Sequence, residues 1–510
     1  MKGISNLFRN RMVVAVLLCL MALPLFATGR SQTGTAGGGA LPDLDTSRPV
    51  EVIMYYTGDK PARQDELWNN FNRLASAKTN TTLKINMLPS ADYRQRYPLL
   101  FASGEVFDLA YAATWLDFAQ LAQRGAYKEL EQLAPKYAPI LYGRESATAK
   151  KQATINGHLY GLPSLYATYS AYGPVYRADL VRGWDGKMQD FADLERYLAL
   201  VKAQNPQIEP YQVSSLGSEL DDLYMYNNGM YAIKGSTNDF LFIDPSQANP
   251  KLFTYYEWNK TPEFLSMMER WNNAGYYSKS GLADTDNFKV RDGRAAAYTH
   301  NIDTYEGYYR TNQGKGWDLK WSNFVKDVSN LAFTQDTCVV AATSKNPDRA
   351  LNLYDRIMSD EELFRAFVYG IEGVTYNIRE QGGQKYVESI PGLSGIMEFT
   401  RMWCARTPEF YLPSWGAPAD LIPLKRGFDA VIKDGVGAQK IRSFILDISS
   451  VETEYANCVN AHQQYWWPLE LAYVDVRTGL AEYERQMKAA GIEKVKQAIQ
   501  QQLDKYLAGL

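Results

Sequence analysis

Hydrophobic and polar positions change their period several times along the chain. Apolar residues first alternate with polar ones, then recur every three or four positions, then alternate again, which predicts strands and helices in turn. The first predicted elements are a strand at 50–56, a helix through Leu67, Phe71 and Leu74, a strand at 83–87, a helix that ends at Ser103-Gly104, a strand at 106–112 and a helix that ends at Gly125. This order is typical of a parallel sheet with crossover helices.

The same alternation returns later in the chain. The further predicted elements are a strand at 173–181, a helix at 191–202, a strand at 293–301, a strand followed by two helices at 337–370, and a C-terminal helix with Ile492, Val495, Ile499, Leu503 and Tyr506 on one face. No segment repeats at a fixed period. More than 460 residues exceed what one hydrophobic core usually serves, so the pattern predicts two α/β lobes.

The N-terminus has the pattern of a secretory signal peptide. Three basic residues precede an apolar run at 12–23, which is followed by Pro24 and then by Leu25-Phe26-Ala27. We therefore expect residues 1–27 to be a signal peptide with cleavage after Ala27. Cys19 follows two leucines, which is a poor lipoprotein cleavage pattern. The sequence predicts an exported protein in the periplasm or at the cell surface, with a lipid anchor as the weaker alternative.

Residues 28–47 are rich in Gly, Ser and Thr, and this composition predicts a flexible tether. Loss of residues 1–27 would remove three basic residues and lower the formal net charge from -3 to -6. A mildly acidic mature chain gives no reason to expect nucleic acid or an anionic membrane as a partner.

Signatures of catalysis, metals and cofactors are sparse. The three histidines, His158, His300 and His462, are far apart in sequence, and HExxH, GxSxG and phosphate-loop motifs are absent. The segment 284–287, DTDN, lacks the glycine and the late glutamate of a calcium loop. We therefore predict no cofactor, no metal and no catalytic residue. Cys338, Cys404 and Cys458 allow one disulfide at most, and three free thiols fit equally well.

Aromatic residues with a polar tip are abundant, with 36 tyrosines and 11 tryptophans. Their flat apolar faces match the C–H face of a sugar ring, and ligands in open parallel sheets gather at the carboxyl ends of strands. Packing in a core is the alternative for each of them. The candidate ligand-binding residues are Tyr55, Tyr56, Trp115, Tyr166, Asn301, Asp303, Trp415, Trp258 and Glu372.

Several segments resemble one protein family in the order in which they occur. They are FASGEVFDLAYA (101–112), LAQRGAYKELEQLAPKYAP (121–139), INGHLYGLPSLYA (155–167), VRDGRAAAYTHN (290–301) and ATSKNPDRALNLYDRIMSDEELFRAFVYGIEG (342–373). The chain resembles the extracellular solute-binding proteins of bacterial ABC importers, family 1, of the carbohydrate-binding type and its LplA-like branch.

The resemblance implies an α/β, two-lobed periplasmic-binding-protein type II fold with a hinge of several crossings. It places the N-terminal lobe at 48–162 plus about 332–380. The C-terminal lobe is then 163–331 plus about 381–510, with C-terminal helices. Gly161-Leu162-Pro163 would mark the passage between lobes. His158 stands where the family usually has lysine or another polar residue, which implies an outward-facing position and no catalytic base.

The implied function is capture of an oligosaccharide or related carbohydrate between the lobes, by a monomer that delivers it to the permease subunits of an ABC importer. Two alternatives stay open at this point. One is a secreted glycoside hydrolase with paired carboxylates. The other is an oligopeptide-binding protein on the same fold. A ligand that contains uronate would require arginine in the cleft, for which Arg94, Arg96 and Arg177 are candidates.

Overall fold

The computed structural model describes residues 44–510 except 59, 61–62, 216, 234–239, 313 and 391–401. The predicted signal peptide and most of the predicted tether lie outside these residues. The strands β1 to β15 are Val50–Thr57, Thr81–Leu88, Leu109–Ala112, Thr154–Ile155, His158–Leu159, Leu162–Pro163, Tyr172–Arg177, Glu209–Tyr211, Tyr231–Ala232, Phe242–Ile243, Ala295–Asn301, Leu319–Trp321, Thr337–Val340, Tyr376–Gln381 and Gln384–Ser389.

The helices α1 to α18 are Gln64–Thr79, Ser90–Ala102, Phe118–Gln123, Ala134–Tyr137, Pro139–Arg144, Ala147–Gln152, Phe191–Gln204, Leu220–Asn227, Thr261–Ala274, Lys289–Asp292, Ile302–Thr311, Pro347–Ser359, Glu361–Val368, Leu421–Val431, Glu452–Ala461, Trp467–Glu470, Val476–Ala490 and Ile492–Leu507. A π-helical turn, His462–Trp466, joins α15 to α16. The strand predicted at 106–112 is shorter than expected, because it begins only at Leu109 and Val106 is exposed.

The first sheet has the strand order β2-β1-β3-β13-β6. Strand β1 runs parallel to β2 and β3, as the alternating pattern predicts. Strand β13, which is not among the strands from which the parallel sheet was predicted, runs antiparallel to β3 and β6, so the sheet as a whole is mixed. The physical reason is the route of the chain, since β13 enters this sheet from the second one and starts at the edge where β3 ends.

The second sheet has the strand order β12-β7-β11-β8. Strand β7 is antiparallel to both β11 and β12, and β8 is parallel to β11. The predicted strand at 173–181 is β7, and the predicted strand at 293–301 is β11. The two sheets are the centres of the two lobes, so the predicted α/β, two-lobed class is confirmed.

Each lobe has its own hydrophobic core. The first core packs Phe71 of α1 and Phe367 of α13 against the first sheet. It also includes Val387, Met402 and Cys404, so it extends past position 380, near which the sequence analysis placed the lobe boundary. The second core includes the C-terminal helix α18, whose predicted apolar face is buried at four of its five positions.

Two segments cross between the sheets side by side. The hydrogen bonds that join residues 164–170 to residues 329–336 run from Ser164 N to Asp336 O at 2.9 Å, from Leu331 N to Thr168 O at 2.8 Å and from Ser170 N to Ser329 O at 2.8 Å. Leu162–Pro163, where the sequence analysis placed the passage between lobes, is the last strand of the first sheet before the first crossing. A Cβ at Gly161 would lie 2.7 Å from Thr337 Oγ1, which explains the glycine.

Candidate functional site

The crossing segments bring one edge of each sheet to the same place. In the first sheet, Ala112 at the end of β3 pairs with Thr337, which in turn pairs with Pro163. In the second sheet, Tyr172 at the start of β7 pairs with Asn301 at the end of β11. We call the region between these two edges the junction. Any residue that directly follows β3 or β11 is therefore placed beside the crossings.

Three aromatic rings form one wall of the junction. The centroid of the Tyr111 ring lies 6.0 Å from that of Trp115 and 5.7 Å from that of Trp403, and the two tryptophans are 6.3 Å apart at a steep angle. Tyr111 is buried in the first core, whereas both tryptophans are only partly buried. We call Tyr111, Trp115 and Trp403 the aromatic wall. The partly buried indoles offer apolar surface of the kind that stacks on a sugar ring.

Five charged side chains form a second feature of the junction. Arg406 Nη1 lies 3.2 Å from Asp336 Oδ2 and 4.0 Å from Asp303 Oδ2. Lys425 Nζ lies 3.2 Å from Asp303 Oδ1 and 3.3 Å from Glu306 Oε2. We call these five residues the ion network. It joins the second crossing and the segment after Cys404 to helices α11 and α14, so it spans both lobes.

Burial shapes the electrostatics of the ion network. Arg406 and Asp336 are each 9% exposed at the side chain. Burial raises the pKa of Asp336, and Arg406 opposes this shift. The Tyr111 hydroxyl donates a hydrogen bond of 2.8 Å to Asp336 Oδ1 and so ties the aromatic wall to the ion network. Burial lowers the pKa of Lys425, but Asp303 and Glu306 outweigh it and hold the pKa well above its usual value.

Tyr166 lies on the first crossing, close to the ion network. The Arg406 guanidinium is 5.9 Å from the centroid of the Tyr166 ring. Burial raises the pKa of Tyr166 to about 12, so the hydroxyl stays protonated at neutral pH and can donate a hydrogen bond. The Tyr166 ring is partly exposed, and this position suits contact with a ligand in the junction.

The second lobe contributes its own ring to the junction. Tyr172 and His300 stack with centroids 5.8 Å apart and an interplanar angle of 27°. His300 Nδ1 is 2.7 Å from Thr304 Oγ1, which fixes the imidazole against α11. Asn301 Oδ1 accepts a hydrogen bond of 2.9 Å from Thr304 N, so this side chain caps the first turn of α11. This cap fixes the first turn of α11 and so positions Asp303, which belongs to the ion network.

Comparison with known proteins identifies the family. Residues 66–376, more than half of the chain, match the family model described as bacterial extracellular solute-binding protein. The chain belongs to this family. Residues 440–508 of this solute-binding protein also match a model described as a domain of unknown function.

Relatives with solved structures or curated descriptions agree with the family. A carbohydrate ABC transporter substrate-binding protein from Streptococcus pneumoniae is 23% identical over 94% of this chain and 96% of its own length. The N-glycan transport solute-binding protein NgtS of the same organism, in complex with Man5GlcNAc, has a TM-score of 0.73 at 22% identity over 91% of this chain and 99% of its own. The alginate-binding protein AlgQ2 without calcium ion has a TM-score of 0.62 at 18% identity over 90% and 98%.

These matches decide between the classes of function left open by the sequence. The family and the curated relative are solute-binding proteins, so the prediction of a binding protein in place of an enzyme is confirmed. The extracellular family agrees with the predicted export, while the lipid anchor stays a prediction. Among the helices of the described residues, none has the length and apolarity needed to cross a membrane.

The structure brings together four of the predicted site residues of this solute-binding protein. Trp115, Tyr166, Asn301 and Asp303 all lie at the junction, on elements that end or begin beside the crossings. Asn301 is engaged as a helix cap, and Asp303 is engaged by Lys425. Their contact with a ligand stays a prediction.

Tyr55 and Tyr56 are packed inside the first lobe. Tyr56 is completely buried, and its ring centroid is 5.1 Å from that of Tyr111. Tyr55 packs edge-on against Phe107, and its hydroxyl donates a hydrogen bond of 2.5 Å to Glu105 Oε1. The expectation that both rings face a ligand therefore fails, because β1 lies between two neighbouring strands and its side chains pack into the core on both faces.

Three further predicted residues belong to other parts of the molecule. Trp258 packs against Tyr224 at the second core, with ring centroids 5.8 Å apart. Glu372 is exposed and pairs with Tyr376 at the start of the hairpin formed by β14 and β15. Trp415 packs against the same hairpin, since its backbone N–H donates to Val387 O at 2.7 Å.

Sequence reasoning missed Trp403, Arg406 and Lys425, which are central to the junction. Arg406 was missed because it follows no predicted strand, and its position depends on a backbone hydrogen bond of 3.0 Å from Leu165 N to Arg406 O. Lys425 lies on α14, where the spacing of apolar residues indicates a helix but says nothing about its partner.

The calcium-like segment 284–287 and the surface around His158 both have charged neighbours. In the 284–287 segment, Asp284 pairs with Lys289 at 2.8 Å and Asp286 pairs with Arg294. His158 is exposed, as the resemblance implied, and its Nδ1 lies 2.8 Å from Glu131 Oε1. With Glu129 these groups lie within 4.8 Å of one another on the surface.

The hairpin that contains His158 has the turn that its sequence predicts. Strands β4 and β5 pair antiparallel across Asn156 and Gly157, both of which have positive φ. Asparagine followed by glycine is the usual sequence for this tight turn. The segment 155–163 is therefore a hairpin and a sheet edge.

Proposed function

We propose that this protein is the substrate-binding component of an ABC importer. It captures an oligosaccharide at the junction and delivers it to the permease subunits. The observation that carries the proposal is the aromatic wall, with two partly buried tryptophans beside hydrogen-bonding groups at the meeting point of both lobes. The named ligands of NgtS, Man1GlcNAc and Man5GlcNAc, support an oligosaccharide ligand.

The proposed mechanism follows from this geometry. The sugar stacks on the aromatic wall while the lobes are apart, and its hydroxyls bind to groups such as Tyr166 and Asp303. The lobes then close around the paired crossing segments, which act as the hinge. The ligand favours the closed state because it contacts both lobes at once only in that state. A ligand with equal affinity for the open and closed states would not shift the equilibrium between them. The closed surface is what the permease recognises.

The test measures binding of saccharides and peptides by isothermal titration calorimetry to a chain that begins after residue 27. Trp115→Ala and Trp403→Ala should each weaken oligosaccharide binding at least about tenfold, or about 1.4 kcal/mol. Trp258→Ala is the matched control, because this tryptophan packs at the second core. The Trp258→Ala variant should bind the oligosaccharide with the same affinity as the wild type.

Recovery of the ligand separates the proposal from its rivals. Mass spectrometry should show the saccharide unchanged after long incubation with the protein. Cleaved saccharide would establish a hydrolase, and binding of peptides alone would keep the fold and reject the ligand. Uptake of the labelled saccharide by cells that contain the permease, and its loss with Trp115→Ala, would test delivery.

A further inference from the structure

A cavity of about 60 Å³ lies beside the second crossing, and residues of both lobes line it. Phe118 and Ile155 belong to the first core, and Leu446 belongs to the second core. Thr334, on the second crossing, also lines the cavity. The aromatic wall and the ion network contribute none of the described residues around it. We call this space the hinge cavity, and it is distinct from the proposed sugar site.

Arg442 is the only charged residue among the described residues that line the hinge cavity, and none of them is acidic. Its Nη1 donates a hydrogen bond of 3.3 Å to Asn330 Oδ1, which is a neutral partner. Its guanidinium lies 5.1 Å from the centroid of the Phe333 ring. Burial lowers the pKa of Arg442, and the carboxylate of Asp434 opposes this shift only in part. The lining of the hinge cavity therefore provides a cation without an acidic neighbour.

One edge of the Arg442 guanidinium lacks an acceptor. Nε and Nη2 are both buried, and no residue that the structure describes accepts a hydrogen bond from either of them. These two N–H groups lie on the same edge, which matches the paired oxygens of a carboxylate or a phosphate. Elsewhere in the chain, Arg177 uses this edge to bind both carboxylate oxygens of Asp179, at 2.8 and 2.6 Å. A buried charged donor without an acceptor is unfavourable, so an oxyanion at this edge of Arg442 would be stabilising.

The hinge cavity also has neutral donors and enough room for a small ion. Gln120 and Thr334 line it and are only 7% and 3% exposed. Their amide and hydroxyl groups can each donate a hydrogen bond. One water needs roughly 10–15 Å³ of such volume, so the hinge cavity can hold several waters or one small oxyanion. Apolar neighbours such as Phe118 and Leu446 lower the local dielectric constant and so strengthen an attraction between opposite charges.

We propose that the hinge cavity binds one small oxyanion, such as inorganic phosphate or a short carboxylate, on the Nε–Nη2 edge of Arg442. This edge is covered in the present conformation, so binding includes a rotation of the guanidinium toward the cavity. The lining residues come from both lobes, and the affinity for the anion therefore depends on the angle between the lobes. An anion that prefers one angle shifts the equilibrium between open and closed states.

The first experiment titrates inorganic phosphate, and separately acetate, into the chain that begins after residue 27. Isothermal titration calorimetry at a constant ionic strength of about 150 mM screens general attraction to surface charges. The wild type should bind one phosphate or one acetate with a saturable isotherm. Arg442→Met keeps most of the side-chain volume and should weaken this binding at least about tenfold. The control Arg485→Met removes an exposed arginine and should bind like the wild type.

A second variant keeps Arg442 and changes its surroundings. Gln120→Glu adds a carboxylate to the lining of the hinge cavity with almost no change of volume. This carboxylate repels an incoming anion and can itself pair with Arg442, so phosphate binding should weaken at least about tenfold. Its control is Gln497→Glu on the exposed face of α18, which changes the net charge of the chain equally. This control should bind phosphate like the wild type.

The outcomes separate the proposal from its alternatives. Failure of the wild type to bind both phosphate and acetate would overturn the inference. Binding that survives both Arg442→Met and Gln120→Glu would reject the hinge cavity as the site, and equal losses in the two controls would attribute the effect to overall charge. Circular dichroism shows whether each variant is folded, and Gln120→Glu decides if Arg442→Met is not. Titration of the wild type with an oligosaccharide tests the proposed function separately, because the hinge cavity shares no residue with the aromatic wall or the ion network.

Discussion

Replacement of Arg406 by methionine should destabilise the protein through the charge that it leaves behind. Arg406→Met keeps most of the side-chain volume but removes the cation that faces Asp336 at 3.2 Å. Asp303 keeps Lys425 as a partner at 3.2 Å, so the loss falls mainly on Asp336. Asp336 is buried and would retain only the hydrogen bond from the Tyr111 hydroxyl.

The magnitude follows from this arrangement. Removal of one partner from a buried ion pair usually costs about 3–5 kcal/mol. The hydrogen bond from Tyr111 remains and stabilises the carboxylate, so we expect a value near the lower end, about 3 kcal/mol. The variant Arg406→Met with Asp336→Asn should recover most of this loss, since the amide carries no charge and still accepts the hydrogen bond from Tyr111.

The pH dependence gives a second signature with a fixed sign. Burial already raises the pKa of Asp336, and Arg406 opposes the shift, so its removal should raise this pKa further. A carboxyl group with a raised pKa binds its proton more tightly in the folded state, and its contribution to stability decreases as the pH rises. The deficit of Arg406→Met relative to wild type should therefore shrink as the pH falls from 8 to 5.

Urea denaturation followed by tryptophan fluorescence measures these differences. The control is Arg485→Met, which removes an exposed arginine that lies 2.6 Å from Glu482. Exposed ion pairs contribute little, so this control should resemble the wild type. The reasoning is refuted if Arg406→Met is as stable as the control, or if Asp336→Asn adds to the loss instead of reversing it.

Three further predictions test other parts of the fold. Burial lowers the pKa of His462 to about 4, so the free energy of unfolding should decrease as the pH falls below 6.5, by up to about 1.4 kcal/mol per pH unit. In acid denaturation, His462→Phe should reduce this dependence of the free energy of unfolding on pH. Gly161→Ala should lower the free energy of unfolding by about 1–3 kcal/mol because its Cβ would crowd Thr337, and Thr337→Ala should restore part of it in urea titrations. The three cysteines after residue 27 are buried free thiols, so Ellman's reagent should label none of them in the native chain and all three after unfolding. Labelling of only one cysteine in the unfolded chain would indicate a disulfide between the other two.

Periodicity predicted the regular elements because each one packs a single face or a single stripe on a core. Helix α1 buries Leu67, Phe71 and Leu74, the residues from which it was predicted, and the strand predicted at 50–56 is β1 with one more residue. The turn at Gly157 was predictable from local chemistry alone. These features depend on neighbours in sequence, and the sequence contains those neighbours.

The composition of the site was only partly predictable, because it depends on contacts between distant segments. Trp115 was found by its place after a strand, but its partner Trp403 lies 288 residues further along the chain and follows no strand. The prediction that Tyr56 contacts a ligand failed for the opposite reason. It ends a strand, yet the neighbouring Tyr111 covers its ring. Position at a strand end therefore identifies the right edge of the sheet but not which side chains remain open there.

The route of the chain through the two sheets has a consequence for biosynthesis. Strand β13 and the core residues up to Ala405 complete the first lobe, although the second sheet is made before them. The second core in turn needs α18 at the C-terminus. A nascent chain therefore cannot complete the first core before Ala405 has been made, or the second core before α18 has been made. Each lobe therefore depends on segments that are far apart in sequence, and the lobes cannot fold one after the other as the chain is made.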